Sequence, residues 1–187
     1  MAILYNIKKA VITELDPTTG KDKVGGVVSH IKTAQKAELE PVLSEGEEDI
    51  LRNDVSILAV VRTDDLIYGY DIKLTDNQFD DTMAGLVAGY KVEGEAATKK
   101  LSTPMMSEGN IAKPFKLDLY VANYSGDAIV NYAKVTLNKC TGKFPTMTVG
   151  DGFFAPEFEI KARENTKANL PIKEIQFVDE LPEDPSV

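Results

Sequence analysis

Asp71, Asp76, Asp80 and Asp81 stand close together in "DIKLTDNQFDDTMAGLVAGY", residues 71–90, a density of carboxylates that could hold a cation or supply an acid–base pair. A calcium loop of the EF-hand kind spaces its oxygen ligands at alternate positions around a central Gly and closes with a distal bidentate Glu. This stretch has none of those features. The same residue types start a helix: Asp76 or Asn77 can cap free backbone N–H groups, and Asp80 and Asp81 suit the positive end of the helix dipole. Phe79, Met83, Leu86, Val87 and Tyr90 recur at helical spacing, and Gly89 is a natural stop. The stretch therefore predicts a short helix with one buried face and no metal site.

Other reactive side chains are sparse. The chain has one His and one Cys, His30 and Cys140, so multi-histidine metal sites and His-assisted nucleophiles lack their parts. His30 lies in the alternating "VVSHIKT" and reads as a strand histidine. Carboxylates are plentiful, but they fall in turns and caps, where they serve solvation better than glycoside chemistry. Glycines in "VGGVV", "MAGLVAG" and "VGDGFF" form neither a phosphate loop nor a dinucleotide fingerprint. The expectation is a chain with no catalytic, cofactor-binding or metal-ligating residues, requiring no cofactor and acting as a scaffold and not as an enzyme.

At 187 residues the chain can bury a core without disulfides, and a single cysteine forms no internal bridge. A formal charge of −9 opposes direct affinity for nucleic-acid phosphates, which depends on Lys and Arg displacing counterions. Trp is absent and the aromatic residues are not interleaved with basic ones, so a base-stacking surface is poorly supported. "MAILYNIKKAVITELDPTTG" lacks the apolar core of a secretory signal, and no run approaches the ~20 apolar residues of a membrane helix. A soluble product made inside a cell, with no membrane partner, is expected.

Period-two alternation dominates the elements. "NIKKAVITEL" predicts a strand with Ile7, Val11 and Leu15 on one face, and "VVSHIKTAQ" predicts another. The acidic stretch Lys36 to Asp54 has neither clean alternation nor a helical stripe. It reads as a long exposed loop, 36–54, whose charge suits an arm ordered by a partner. "VSILAVV", apolar on both faces, predicts a central strand joined through Thr63-Asp64-Asp65 to "LIYGYDIKL". A long connection with one short strand follows the helix. "FKLDLYVANY" and "AIVNYAKVTLNKC" predict a long hairpin about Ser125-Gly126-Asp127, with Phe115, Leu117, Leu119, Val121, Ala133, Val135 and Leu137 inward and Lys116, Asp118, Tyr120, Asn131, Tyr132 and Lys134 more exposed. "PEFEIKARE" and "IKEIQFV" close the domain. The whole is a mainly β domain, 1–182, with one short flanking helix and two packed antiparallel sheets as a sandwich or partly closed barrel; 183–187 is expected to be a disordered acidic tail.

In sequence, three stretches resemble the major tail tube proteins of long-tailed bacteriophages and related prophages. They are "SEGEEDILRNDVSILAVVRTDDLIYGYDIKLTDNQFDDTMAGLVAGYKV", "KPFKLDLYVANYSGDAIVNYAKVTLNKCTGKF" and "FFAPEFEIKARENTKANLPIKEIQFVDELP". The resemblance spans most of Ile3 to Pro182 and rests on the succession of strands and caps, with no invariant signature. It implies a phage tail-tube-like fold and a self-assembling virion protein: hexameric rings stacked into a hollow tube, through which DNA passes without specific binding. It also implies tape-measure, tail-terminator and baseplate or tip proteins as partners, assembly in the bacterial host cytoplasm and a final place in the tail of the virion. Tube subunits of contractile tails and phage-derived bacteriocins are similar. The alternatives are a tail-terminator or head-tail connector ring protein, or a β-sandwich module for adhesion or carbohydrate binding.

Overall fold

The computed structural model describes residues 3–46, 48–52, 57–76, 80–95, 98–105, 107, 113–143, 145 and 156–184. Its strands are β1 (Ile3–Glu14), β2 (Val28–Ile31), β3 (Ala34–Ser44), β4 (Glu48–Arg52), β5 (Ile57–Arg62), β6 (Leu66–Asp76), β7 (Lys91–Glu93), β8 (Lys100–Ser102), β9 (Phe115–Ser125), β10 (Ala128–Gly142), β11 (Glu157–Arg163) and β12 (Lys173–Val178), with one helix, α1 (Asp81–Ala88). An antiparallel sheet runs in the order β2-β1-β9-β10-β11-β6-β3, with β12 also on β10, and two small sheets pair β4 with β5 and β7 with β8.

The hinge of this sheet is the expected hairpin β9–β10. Its turn places Gly126 at φ 63°, a backbone conformation that glycine adopts without strain. Strand β10 is 15 residues long and pairs two successive partners, β12 through Tyr132–Leu137 and β11 through Cys140–Gly142. Between them the register with β9 passes from Leu137↔Leu117 to Cys140↔Phe115, so β10 carries an extra residue, a bulge at Asn138 and Lys139. The inward set changes from Ala133 and Leu137 to Cys140 and Gly142, all buried.

The bulge turns the sheet into two leaves. One leaf contributes Ala10, Ile12, Phe115, Leu117 and Leu119 to a shared core, the other Ile72, Leu74, Phe158, Ile160 and Ala162. This is the two-layered β architecture with a flanking helix that the sequence leads one to expect, built from one bent sheet that stays open as a barrel. Each large core side chain contributes roughly 1.5–3 kcal/mol by leaving water. Asn138 and Asn165 are buried polar groups at the bend, and both are paired: Asn138 Nδ2 donates to the Pro171 carbonyl at 2.9 Å, and Asn165 Nδ2 donates to the Gly20 carbonyl at 2.7 Å.

Helix α1 closes the core with Met83, Leu86 and Val87 and ends at Gly89, φ 71°. Its cap is Asp80, whose carboxylate accepts from Thr82 N at 2.8 Å. The expected cap at Asp76 is incorrect: Asp76 ends β6 and accepts from Thr33 Oγ1 at 2.5 Å, while Asn77 and Phe79 lie outside the described residues. A Cβ at Gly142 would come 2.2 Å from the Val87 carbonyl oxygen, so a residue without a side chain lets the helix sit on β10.

Several expectations need correction. Residues 36–54 are not a loop, because β3 occupies Ala34–Ser44 along β6 and β4 occupies Glu48–Arg52 along β5. "VSILAVV" supplies no central strand; β5 has β4 as its strand partner and lies outside the main sheet. On β1 the core-facing residues are Ala10 and Ile12, placing Val11 on the opposite face, since register shifts on either side of Ile7 change the phase of the strand. The connection after α1 forms a two-stranded hairpin, β7–β8, where one strand was expected. Asp118 and Tyr120 are buried rather than exposed. The tail expected from 183 is anchored at Asp184, while 185–187 lie outside the described residues.

Candidate assembly surfaces

The nested registers of β3–β6 and β4–β5 make one long ribbon. Ser44 pairs with Leu66 at the end of the first, and Glu48 pairs with Arg62 at the start of the second. The joint is tight: a Cβ at Gly46 would come 1.8 Å from the Thr63 carbonyl oxygen, and Gly46 N donates to Asp65 Oδ1 at 2.8 Å. Near the body the ribbon is ordinary core, with Ile72 and Leu74 at 2% and 0% exposure. Further out its apolar residues face solvent: Leu66 at 69%, Leu51 at 62%, Ile57 at 63% and Val61 at 63%. Isolated exposed apolar residues are ordinary, whereas a contiguous set on a projecting strand pair is the mark of an interaction surface.

Where the ribbon leaves the body, Gly69 permits a close approach. A Cβ there would meet the Arg163 guanidinium at 2.1 Å; that guanidinium lies 5.3 Å from the Tyr68 ring centroid, and its Nη2 lies 3.6 Å from Asp71 Oδ1. The "YGYD" sequence thus fixes the root of the ribbon by a cation over an aromatic face beside a carboxylate.

The outer face of the body is polar, and its cations are matched. Lys134 Nζ lies 3.2 Å from Asp118, which also accepts from Thr136 Oγ1 at 2.6 Å, and Lys116 Nζ lies 2.6 Å from Asp22. Burial works against the Lys134 charge, but Asp118 and Tyr120 outweigh it and hold the ammonium above its ordinary range. Glu14 is held below the usual carboxylate range mainly by the hydrogen bond from Lys23 at 2.8 Å, against burial. On the second leaf, Glu38, Lys73 and Glu159 form one cross-strand row and Glu40, Asp71 and Lys161 the next. Most of these lysines already have a carboxylate neighbour, which removes the counterion-release gain that a polyanion would need.

Of the residues considered for chemistry, Asp76, Asp80 and Asp81 line one shallow hollow with His30, while Asp71 lies beside Arg163, and Cys140 lies in the core. Asp80 caps α1 and accepts from Ser29 Oγ at 2.7 Å, and Asp81 pairs with Lys99. Among the described residues no group of three or more His, Cys, Asp or Glu side chains could hold a metal ion. Cys140 is fully buried, and its burial pushes the thiol pKa up, away from the reactive thiolate. His30 is on β2, as expected. No described helix is long and apolar enough to cross a membrane. What sequence reading missed is the apolar character of the ribbon: the signal was "VSILAVV", a run equally suited to a buried strand or to one covered by another molecule.

No protein-family model matches the chain, and no curated protein matches it. Among solved structures, a chain of the tube-terminating cap of the anti-feeding prophage aligns over 95% of this chain and 95% of its own length, at 10% identity and a TM-score of 0.42, too loose a likeness to establish a common fold.

Proposed function

We propose that this chain is a structural subunit of a phage-type tail, polymerising as stacked hexameric rings into a hollow tube that conducts DNA. The observation that carries the reading is the ribbon: a two-leaf body with its own core extends a strand pair whose exposed apolar residues have no counterpart among the described residues. A patch that meets a different patch on an identical neighbour generates rings or filaments. Strands β2 and β3 terminate the main sheet among the described residues, and such edges can pair with another copy. The matched charges of the outer face suit a surface that DNA passes without being gripped. In this reading the subunit has no catalytic role, belongs to the virion tail after assembly in the host cytoplasm, and meets tape-measure, terminator and baseplate or tip proteins.

Negative-stain microscopy of the purified chain across a concentration series tests the proposal. Long hollow tubes are the expected result. Single rings that never stack would move the reading to a terminator or connector, and monomers at every concentration would overturn it in favour of a separate binding module.

A further inference from the structure

A second feature stands apart from the ribbon and from the assembly reading. Ala10 pairs with Ile31 and Val11 with His30, so Lys9 and Lys32 follow in register, and Lys9, Val11, His30 and Lys32 share the outer face of β1–β2. The chain's last described segment, residues 179–184, returns to this face after β12. Lys9 Nζ donates to the Pro182 carbonyl at 2.7 Å and to Asp184 Oδ1 at 2.6 Å, Lys32 Nζ pairs with the other oxygen of Asp184, and His30 Nδ1 lies 3.6 Å from Asp184 Oδ1. The Lys9 side chain is only 6% exposed. A buried ammonium without a counter-ion is costly, so a segment that covers Lys9 in this way must bring an anion with it.

We propose that Lys9, His30 and Lys32 form a binding site for a carboxylate-bearing peptide segment, filled in this structure by the chain's own 179–184, and that the same segment from a second copy can fill it instead. The chemistry favours a carboxylate: two ammonium groups take one oxygen each, and Pro182 adds a carbonyl acceptor that a free acid would lack. Exchange is feasible because the segment has no strand pairing of its own after Val178, so every described bond it makes to the cradle can be made equally by another copy. In cis the tether gives an effective concentration in about the millimolar range, which sets the concentration a competitor must reach.

His30 is the chain's single histidine, so its ring is an unambiguous reporter. Burial first, and the Lys9 charge second, hold its pKa below the ordinary value, while Asp184 pulls it upward and Lys32 downward. Asp76, Asp80 and Asp81 line the same shallow hollow as His30 and Lys32. Loss of the Asp184 charge should therefore lower the His30 midpoint further, and a returning carboxylate should raise it again.

The experiment uses the full chain carrying Asp184→Asn, with the His30 ring followed by NMR while a blocked peptide of sequence DELPED, residues 179–184, is added to several millimolar. Saturable movement of the His30 signal and an upward shift of its midpoint are expected, with a DELPEN peptide binding at least about tenfold more weakly. The unsubstituted chain should respond far less, its site being occupied. Adding Lys32→Met to the variant should weaken peptide binding; Lys32 is 66% exposed, so this change spares the fold. No response to DELPED, an equal response to DELPEN, or an unchanged affinity with Lys32→Met would each overturn the proposal.

Discussion

The body and the ribbon are built from the same kind of strand, yet they differ in what completes them. In β11, Phe158, Ile160 and Ala162 alternate with Glu159 and Lys161 and are buried to within 1% by the facing leaf. In β5, Ile57, Val60 and Val61 are at least as apolar and are 52–63% exposed, because among the described residues β4 is the one strand beside them. A strand's own sequence states that it wants cover; it does not state whether that cover comes from the same chain. A two-stranded hairpin alone is marginally stable in water, so under the proposed assembly the ribbon's outer half gains stability from a neighbour.

Substitutions should separate the two regions, starting with the largest effect. Leu119→Asp places an unpaired charge in the core, costing several kcal/mol, and should abolish the cooperative thermal transition followed by circular dichroism. Gly142→Val drives a side chain into the Val87 carbonyl and should destabilise by about 1–3 kcal/mol as α1 is displaced from β10. Asp80→Ala removes the helix cap and the acceptor for Ser29, an expected loss of about 1 kcal/mol in a denaturant titration. If the acidic cluster is a helix start, the melting temperature of the unsubstituted chain should be the same in chelator and in millimolar calcium; a large calcium-dependent rise would contradict that reading.

The smallest effect on stability is expected from the ribbon. Leu51→Ser with Val61→Ser should change the unfolding free energy of the monomer by less than about 0.5 kcal/mol while preventing the formation of large assemblies by sedimentation. A substantial loss of monomer stability would mean that the ribbon is covered by its own body, and normal assembly would mean that its apolar residues make no essential contact.

Legibility in the sequence follows the same division. The β9–β10 hairpin, β11 and the Gly89 stop are legible because turn residues and period-two or helical alternation agree with burial inside one chain; β12 is legible from its alternation alone, since its Ile175 and Phe177 are 59% and 51% exposed. Asp76, Asn77 and Asp80 all carry a side chain able to cap, and only the length of β6, which ends at Asp76, decides for Asp80 over Asp76. The face of β1 was misread because register shifts beside Ile7 add residues that carry no sequence signal of their own. The buried pair Asn138 and Asn165 carries no sequence signal for a related reason: both are ordinary polar residues until the bulge in β10 presents the Asn138 carbonyl to Asn165 Nδ2, which donates to it at 3.2 Å. The ribbon failed differently. Lys36 to Asp54 reads as a loop because its alternation is interrupted at the joint around Gly46, and β5 reads as central because an exposed apolar strand has the same composition as a core strand.

The central claim is that the core around β9, β10 and β11 is complete within one chain, whereas the outer ribbon needs a second chain to cover it. Amide exchange measured on the dilute monomer and on the assembled protein tests it most directly. The account expects slow exchange in β9, β10 and β11 in both states, with β4 and β5 exchanging rapidly in the monomer and at least about tenfold more slowly in the assembly. Equal protection of β4 and β5 in the two states would contradict it.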